Sequence, residues 1–296
     1  MSVLVAVVDA GSLSAAGRQL NMPLPTVSRK ISELEAHVNA RLVIRSTRKL
    51  IVTEAGRAYI AACKRILQDV AEAERSASGE YCAPRGELTL TAPIVFGRLH
   101  VLPVTTEFLN AYPKVDVRLV LSDRTFSLVD EHVDLAIRIG ELADSSLVGA
   151  RIGCIGHVVC ASPSYLAEHG VPKSPDELSG HACITFAALM APDAWTFRSE
   201  HSERMVPIHS RLVVNTAEAA VDAAIAGIGL ARVFSYQADA ALKTKALTLV
   251  LQKFEPPPVP VSLVHSGQRL LPQKLRAFLD FSAPRLRARL QDINQR

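Results

Sequence analysis

Apolar positions at the start of the chain fall on two helical stripes with a tight break between them. MSVLVAVVDA predicts a short first helix over residues 1–10. Ala15, Ala16 and Leu20 then share one face of a second helix, with Ser12 or Ser14 placed to cap its free amides. Asn21-Met22-Pro23 ends it, because proline lacks both the N–H and the backbone freedom to continue. A third helix begins at Pro25, carrying Val27, Ile31, Leu34 and Val38 at four-, three- and four-residue spacings. From residue 55 to 78, Tyr59, Cys63, Ile66, Val70, Ala73 and Ala77 keep a 3.5-residue period. That period predicts a two-helix seam, with packing on its own domain as the plainer reading.

Ser78 to Gly86 breaks this helix and reads as a hinge. The pattern then alternates. Strands are expected at Glu87–Thr91, Val115–Leu121, Val133–Ile139, His157–Ala161, Ala182–Phe186, Arg211–Val214, Ile228–Val233 and Val259–His265. Helices are expected at Arg98–Ala111, near Thr125–Glu131, at Ala217–Gly227 and at Pro272–Leu290. Strand–helix–strand order implies an α/β class with a mostly parallel sheet.

Charge changes the picture only through its distribution. The net charge of +4 over 296 residues is small, but Lys and Arg at 18, 29, 30, 41, 45, 48, 49 and 57 face only Glu33, Glu35 and Glu54 in the first segment. Such a local surplus suits a polyanion. The third helix adds Thr26, Ser28, Arg29, Lys30 and Glu33 opposite its apolar stripe. Short hydroxyls and arginine near a helix N-terminus can reach base edges and phosphates from the major groove. The five cysteines form no paired motif, and their odd number argues against a disulfide frame. Cys154 and Cys160 are either a redox pair or, better matched by their apolar strand setting, buried structural thiols. No leader-like segment or bilayer-length apolar run is seen, so the cytoplasm is the expected compartment and no membrane partner is expected. Motifs for nucleophilic, zinc-hydrolase or phosphate-loop chemistry are missing, and Gly227-Ile228-Gly229 lacks the third glycine of a dinucleotide loop. No catalytic residue, metal site or cofactor is therefore expected.

Ala15-Ala16…Leu20, then Val27-Ser28-Arg29…Ile31…Leu34-Glu35, resembles the helix-turn-helix of LysR-type transcriptional regulators. Arg45-Ser46-Thr47-Arg48, followed by Leu50 and Thr53-Glu54-Ala55-Gly56, is similar to that family's wing and the start of its linker helix. Two departures stand out: Pro23 replaces a usual capping Ser, at about 1 kcal/mol, and Gly17 replaces a usual Ala, at about another 1 kcal/mol of helix preference where that position is exposed. Further matches, Phe108-Leu109…Tyr112-Pro113, Asp134 to Gly140 and Ala161-Ser162-Pro163…Tyr165-Leu166, look like the subgroup related to the regulator CrgA.

The resemblance implies a winged helix-turn-helix at 1–57, a dimerising linker helix at 58–78 and a hinge at 79–86. It also implies a two-lobed, periplasmic-binding-protein-like effector domain at 87–296. Because the chain crosses between lobes twice in that architecture, one lobe is expected at 87–161 plus 267–296 and the other at 162–266. DNA contacts would come from Pro25, Thr26, Ser28, Arg29, Lys30, Arg45, Thr47 and Arg48 on an inverted-repeat operator. Effector contacts, carried over by position, would come from Ala92, Pro93, Ile94, Ser122, Arg138, Gly140, Asn215 and Thr216. Helix N-termini there would suit a carboxylate-bearing metabolite. A homodimer or homotetramer is implied, with RNA polymerase a further partner. Two other readings stay open: an enzyme or solute carrier with a vestigial head, and an architectural DNA-binding protein without a ligand.

Overall fold

The computed structural model describes residues 1–45, 50–77, 83–124, 133–142, 147–186, 194–198, 203–267 and 271–294. It divides into two units, Met1–Ala83 and Pro84–Arg296. In the first, α1 (Ser2–Asp9), α2 (Leu13–Gln19) and α3 (Leu24–His37) surround a core of Leu4, Val7, Ala16, Val27 and Ile31. Ser12 is the cap of α2, its Oγ accepting the Ala15 N–H at 3.1 Å. α3 starts one residue before Pro25, at Leu24, with Pro23 at the N-cap and no side-chain cap bond. Gly17 is buried, and a Cβ there would stand 2.8 Å from the Met22 carbonyl oxygen. It is a close-packing site that lets the turn fold onto α2, not an exposed helix weakness.

β1 (Val43–Arg45) and β2 (Leu50–Val52) pair antiparallel, Val43 against Val52. The expected wing tip, Ser46 to Lys49, and the hinge residues 78–82 lie outside the described residues. α4 (Glu54–Ala77) begins at Glu54, four residues before the expected linker. Thr53 starts it, its Oγ1 accepting the Gly56 N–H at 2.9 Å. Lys64 pairs with Asp9 at 2.6 Å, tying α4 to α1. The expected seam divides along its length. Cys63 is 1% exposed and Tyr59 packs on the unit's own core, whereas Ile66 and Val70 are 46% and 49% exposed. Cys63 is therefore a core residue and not part of a face open to a second chain.

In the second unit, β3 (Gly86–Ala92) leads into a continuous helical run: α5 (Ile94–Phe96), a π turn at Gly97–Val101, then α6 (Leu102–Ala111). The helix expected from Arg98 thus begins at Ile94. Gly97 permits the close approach, since a Cβ would collide with the Leu121 side chain. β4 (Val115–Leu121), β5 (Leu135–Ile139) and β6 (Leu147–Ile155) follow in the same lobe. The segment near Thr125–Glu131 lies outside the described residues.

The chain then builds the other lobe from β7 (His157–Ala161), α7 (Pro163–His169), β8 (Ala182–Phe186), the hairpin β9 (Ala194–Arg198) and β10 (Glu203–Pro207), β11 (His209–Val214), α8 (Ala217–Ile225), β12 (Leu230–Phe234), α9 (Ser235–Lys243) and β13 (Thr248–Val250). It returns as β14 (Val259–Ser266) and α10 (Gln273–Asn294), whose Leu275, Phe278, Leu286 and Leu290 are buried.

The first lobe's sheet has the order β4-β3-β5-β14-β6 and the second β11-β8-β12-β7-β13. This moves both expected lobe boundaries. His157–Ala161 belongs to the second lobe and Val259–His265 to the first, so the crossings fall at Gly156 and between Val250 and Val259. The displaced boundaries trace to β6, whose LVGARIGCI lacks the apolar alternation of a half-buried strand and was not expected. The sheets are also evenly mixed, not mostly parallel. β3–β4 and β3–β5 are parallel while β14 runs antiparallel to β5 and β6, and the second lobe repeats that division. Gly229 is a strand-packing site, where a Cβ would strike the Ala182 carbonyl, and Gly227 turns at φ +79°.

Candidate functional site

Two surfaces carry the expected chemistry. On α3, Val27 and Ile31 are buried, which turns Pro25, Arg29 and Lys30 outward; Thr26 and Ser28 are half-buried beside them. Arg29 Nε lies 3.5 Å from Glu33 Oε1 with both side chains largely exposed. An exposed pair of that kind is worth little, so the guanidinium can exchange Glu33 for a phosphate at small cost. Arg45 ends β1 opposite Leu50. Thr47 and Arg48 lie outside the described residues. Glu35, which the sequence shows as an offsetting charge at the end of the matching helix pattern, pins the first wing strand to α3. Its Oε1 accepts the N–H groups of Leu42 and Val43 at 2.8 and 3.0 Å.

The second surface lies where the lobes meet. β3, β4 and β5 run parallel, so their carboxyl ends share one edge. Ala92 is buried there; Pro93, Ile94 and Ser122 are half-buried, and the Ser122 N–H donates to the Ala92 carbonyl at 3.0 Å. Asp123 Oδ1 accepts the Ile94 N–H at 3.0 Å. Its Oδ2 is buried with no partner among the described residues. Burial pushes this carboxyl above its ordinary range, the Ile94 bond opposes the rise, and the Glu218 carboxylate adds to it.

From the other lobe, Thr216 Oγ1 accepts the Ala219 N–H at 3.3 Å to start α8. Glu218, on that first turn, stands 3.8 Å from Arg98 of the π turn. Its Oε2 is also buried and unpartnered among the described residues. Tyr236 packs its ring against Phe96 and His100, with centroids 5.6 and 5.8 Å apart. Both His100 ring nitrogens lack a partner among the described residues. Burial first, then Arg289, pulls this imidazole down to about 4, against a smaller push from Asp239. It is neutral at physiological pH.

The Asp123–Glu218 interaction, the Arg98–Glu218 pair and the Tyr236 ring contacts bring the ends of β3 and β4 beside the starts of α8 and α9. At the two helix starts, the Ile94 and Ala219 amides are already held, by Asp123 and by the Thr216 cap. Asn215 is exposed beside the cap. Gly140 sits at the end of β5 with φ +112° and donates to the Pro260 carbonyl at 2.8 Å. Arg138 follows Ala136 in the strand's alternation, onto the face opposite Leu135 and Ile137, and burial lowers its pKa. Asp123, Glu218, Tyr236 and His100 were not anticipated. Glu218 at a helix start looks like ordinary dipole complement, and the others sit outside the aligned motifs.

Cys154 and Cys160 occupy strands of different sheets, and only Cys160 is buried, Cys154 being half-buried. Burial pushes Cys160 up to about 12, an inert core thiol. Among the described residues, no three His, Cys, Asp or Glu side chains could hold a metal ion. No helix among them is long and apolar enough to cross a membrane.

Known proteins match both units. Residues 1–57 match the family described as bacterial regulatory helix-turn-helix protein, lysR family, and residues 83–287 match the LysR substrate binding domain. An HTH-type transcriptional regulator of Xanthomonas campestris pv. campestris is 34% identical over 96% of this chain and 84% of its own length. The HTH-type transcriptional regulator CrgA of Neisseria meningitidis serogroup C is 33% identical over 95% of this chain and 94% of its own. The solved structure of CrgA from Neisseria meningitidis superposes with a TM-score of 0.62 at 30% identity, covering 96% of this chain and 97% of that one.

Proposed function

The chain belongs to the LysR family of bacterial helix-turn-helix transcriptional regulators, and on that premise we propose how its residues divide the work. α3 enters the major groove. Pro25, Thr26 and Ser28 approach the bases, Arg29 and Lys30 hold phosphates, and Arg45, Thr47 and Arg48 of the wing reach the flanking backbone. Two copies join through the outer half of α4, where Ile66 and Val70 are exposed, and present two α3 helices to an inverted repeat. Pairing of such dimers gives a tetramer. The protein acts in the cytoplasm with RNA polymerase as a further partner, and it performs no catalytic step.

A small-molecule effector occupies the junction of the lobes, bounded by Ala92, Pro93, Ile94, Ser122, Arg138, Gly140, Asn215 and Thr216. Asp123 and Glu218 give that junction unsatisfied acceptors, so the effector carries hydrogen-bond donors as well as the carboxylate that Arg98 or Arg138 would meet. Its binding shifts the arrangement of the lobes and, through it, of the DNA-reading heads.

The observation that carries the DNA reading is α3 itself, with its apolar stripe buried and its cations outward. The test is fluorescence anisotropy on DNA from upstream of the protein's own gene, against scrambled duplex, across a salt series. Arg29→Ala should weaken binding to every sequence and flatten the log–log salt slope by about 0.9, one phosphate contact. An unchanged slope, or equal affinity of the wild type for both duplexes, would count against it.

A further inference from the structure

Away from the junction of the lobes, the second lobe contains a cavity of about 330 Å³. Three separate stretches of chain converge on it: the short helical turn at Pro175–Gly180, the β9–β10 hairpin, and the turn Gln252–Phe254. Its floor is apolar. Phe197 and Val206 are 1% and 3% exposed, and Phe254 is half-buried beside them. Its rim is cationic, with Arg198, Arg204 and Lys253 against the single carboxylate of Asp176.

Asp176 is already committed. It takes both terminal nitrogens of Arg204, at 2.6 and 3.3 Å, which fixes that guanidinium at the rim. Arg198 and Lys253 have no hydrogen bond or ion pair among the described residues, although Glu203 stands opposite Arg198 in the strand ladder. Two such cations beside a third repel one another, and an anion between them removes that repulsion. A guanidinium matches a carboxylate with two parallel hydrogen bonds. The apolar floor asks for a flat hydrophobic body below the charge, and the volume lies at the small end of organic-ligand sites.

We propose that this cavity is a second ligand site, taking a small aryl carboxylate whose ring lies on Phe254 and Val206 and whose carboxylate meets Arg198 and Lys253. It shares no residue with the junction of the lobes, and it stands whether or not that junction binds an effector. It also bears on the crossing between lobes. Lys253 and Phe254 open the segment that leads back to β14, and the next residue, Glu255, lies 3.8 Å from Arg232. The Arg232 guanidinium in turn sits 5.5 Å from the Phe197 ring under the cavity. A ligand there holds the start of the returning segment against the hairpin.

The test is fluorine NMR on the full chain, titrating with fluorobenzoate. The wild type should show saturable broadening of the fluorine line. The double variant Arg198→Gln/Lys253→Gln, both positions exposed, should melt at the same temperature and bind at least about tenfold more weakly. A variant of the junction, Asp123→Asn/Glu218→Gln, should bind as the wild type does. The proposal is overturned if the wild type shows no saturable binding or if the Arg198/Lys253 variant binds equally well. It is also overturned if the junction variant alone abolishes binding, or if inorganic phosphate displaces the probe as effectively as benzoate, which would mark a bare anion patch.

Discussion

Removing the Glu35 carboxylate tests whether the wing is held by the contact assigned to it. Its Oε1 accepts two backbone N–H groups, from Leu42 at 2.8 Å and Val43 at 3.0 Å. Both donors belong to nearly buried residues, 1% and 3% exposed, at the point where the chain turns into β1. Hydrogen bonds to a charged acceptor contribute about 1.5–3 kcal/mol each, and an amide left unpaired loses that and its hydration. The site is only part-buried, so water recovers some of the loss, and Glu35→Ala should cost about 2–3 kcal/mol in all. Glu35→Gln keeps an oxygen in place without the charge and should cost about 1 kcal/mol. Hydrogen exchange with mass spectrometry on the full chain reads this locally. Amides of the segment 40–45 should exchange about 30- to 100-fold faster in the Ala variant, at about 1.4 kcal/mol per factor of ten. Exchange within about threefold of wild type there would refute the reasoning. So would a Gln variant as damaged as the Ala variant, because the acceptor geometry would then be irrelevant.

Two further expectations follow from packing and burial. A Cβ at Gly56 would strike the Leu42 carbonyl, so Gly56→Ala should lose about 3 kcal/mol despite the better helix preference of alanine. Urea unfolding followed by far-UV circular dichroism would register this, and a stabilised variant would contradict it. Glu255, buried beside Arg232, has its carboxyl pushed up to about 7 by burial, against the attraction of Arg232. The folded chain therefore holds that proton more tightly than the unfolded chain. This contribution to stability is fully present below about pH 4.5 and lost as pH rises through about 7, at most about 3 kcal/mol. Trp195, the one tryptophan of the chain and 1% exposed, reports unfolding of that lobe by fluorescence. Glu255→Gln should remove the decline between those two pH values, and a wild-type-like pH profile in the variant would refute it.

The elements legible in the sequence were those set by neighbours along the chain. Ser12 caps α2 and the prolines stop and start the helices, while the four-three-four spacing of Val27, Ile31, Leu34 and Val38 fixes which side of α3 is buried. Each effect acts within a few residues, so the local pattern carries it. The β-branched runs of β4, β5, β8 and β14 were visible for the same reason. β6 was not, because its glycines and Arg151 erase the alternation, and both lobe boundaries moved with it.

The sequence by itself determined the winged helix-turn-helix, its basic surplus, the linker helix and the α/β character of the remainder. Only the tertiary structure decided which sheet each strand joins, and that Cys63 packs on its own unit while Ile66 stays exposed. Only it turned Gly17 from a helix weakness into a packing requirement. It alone brought Asp123, Glu218 and Tyr236 to one junction, and Arg198 and Lys253 to one rim. These groups are distant along the chain, and their approach is set by which faces must be buried together. No residue's immediate neighbours encode that closure.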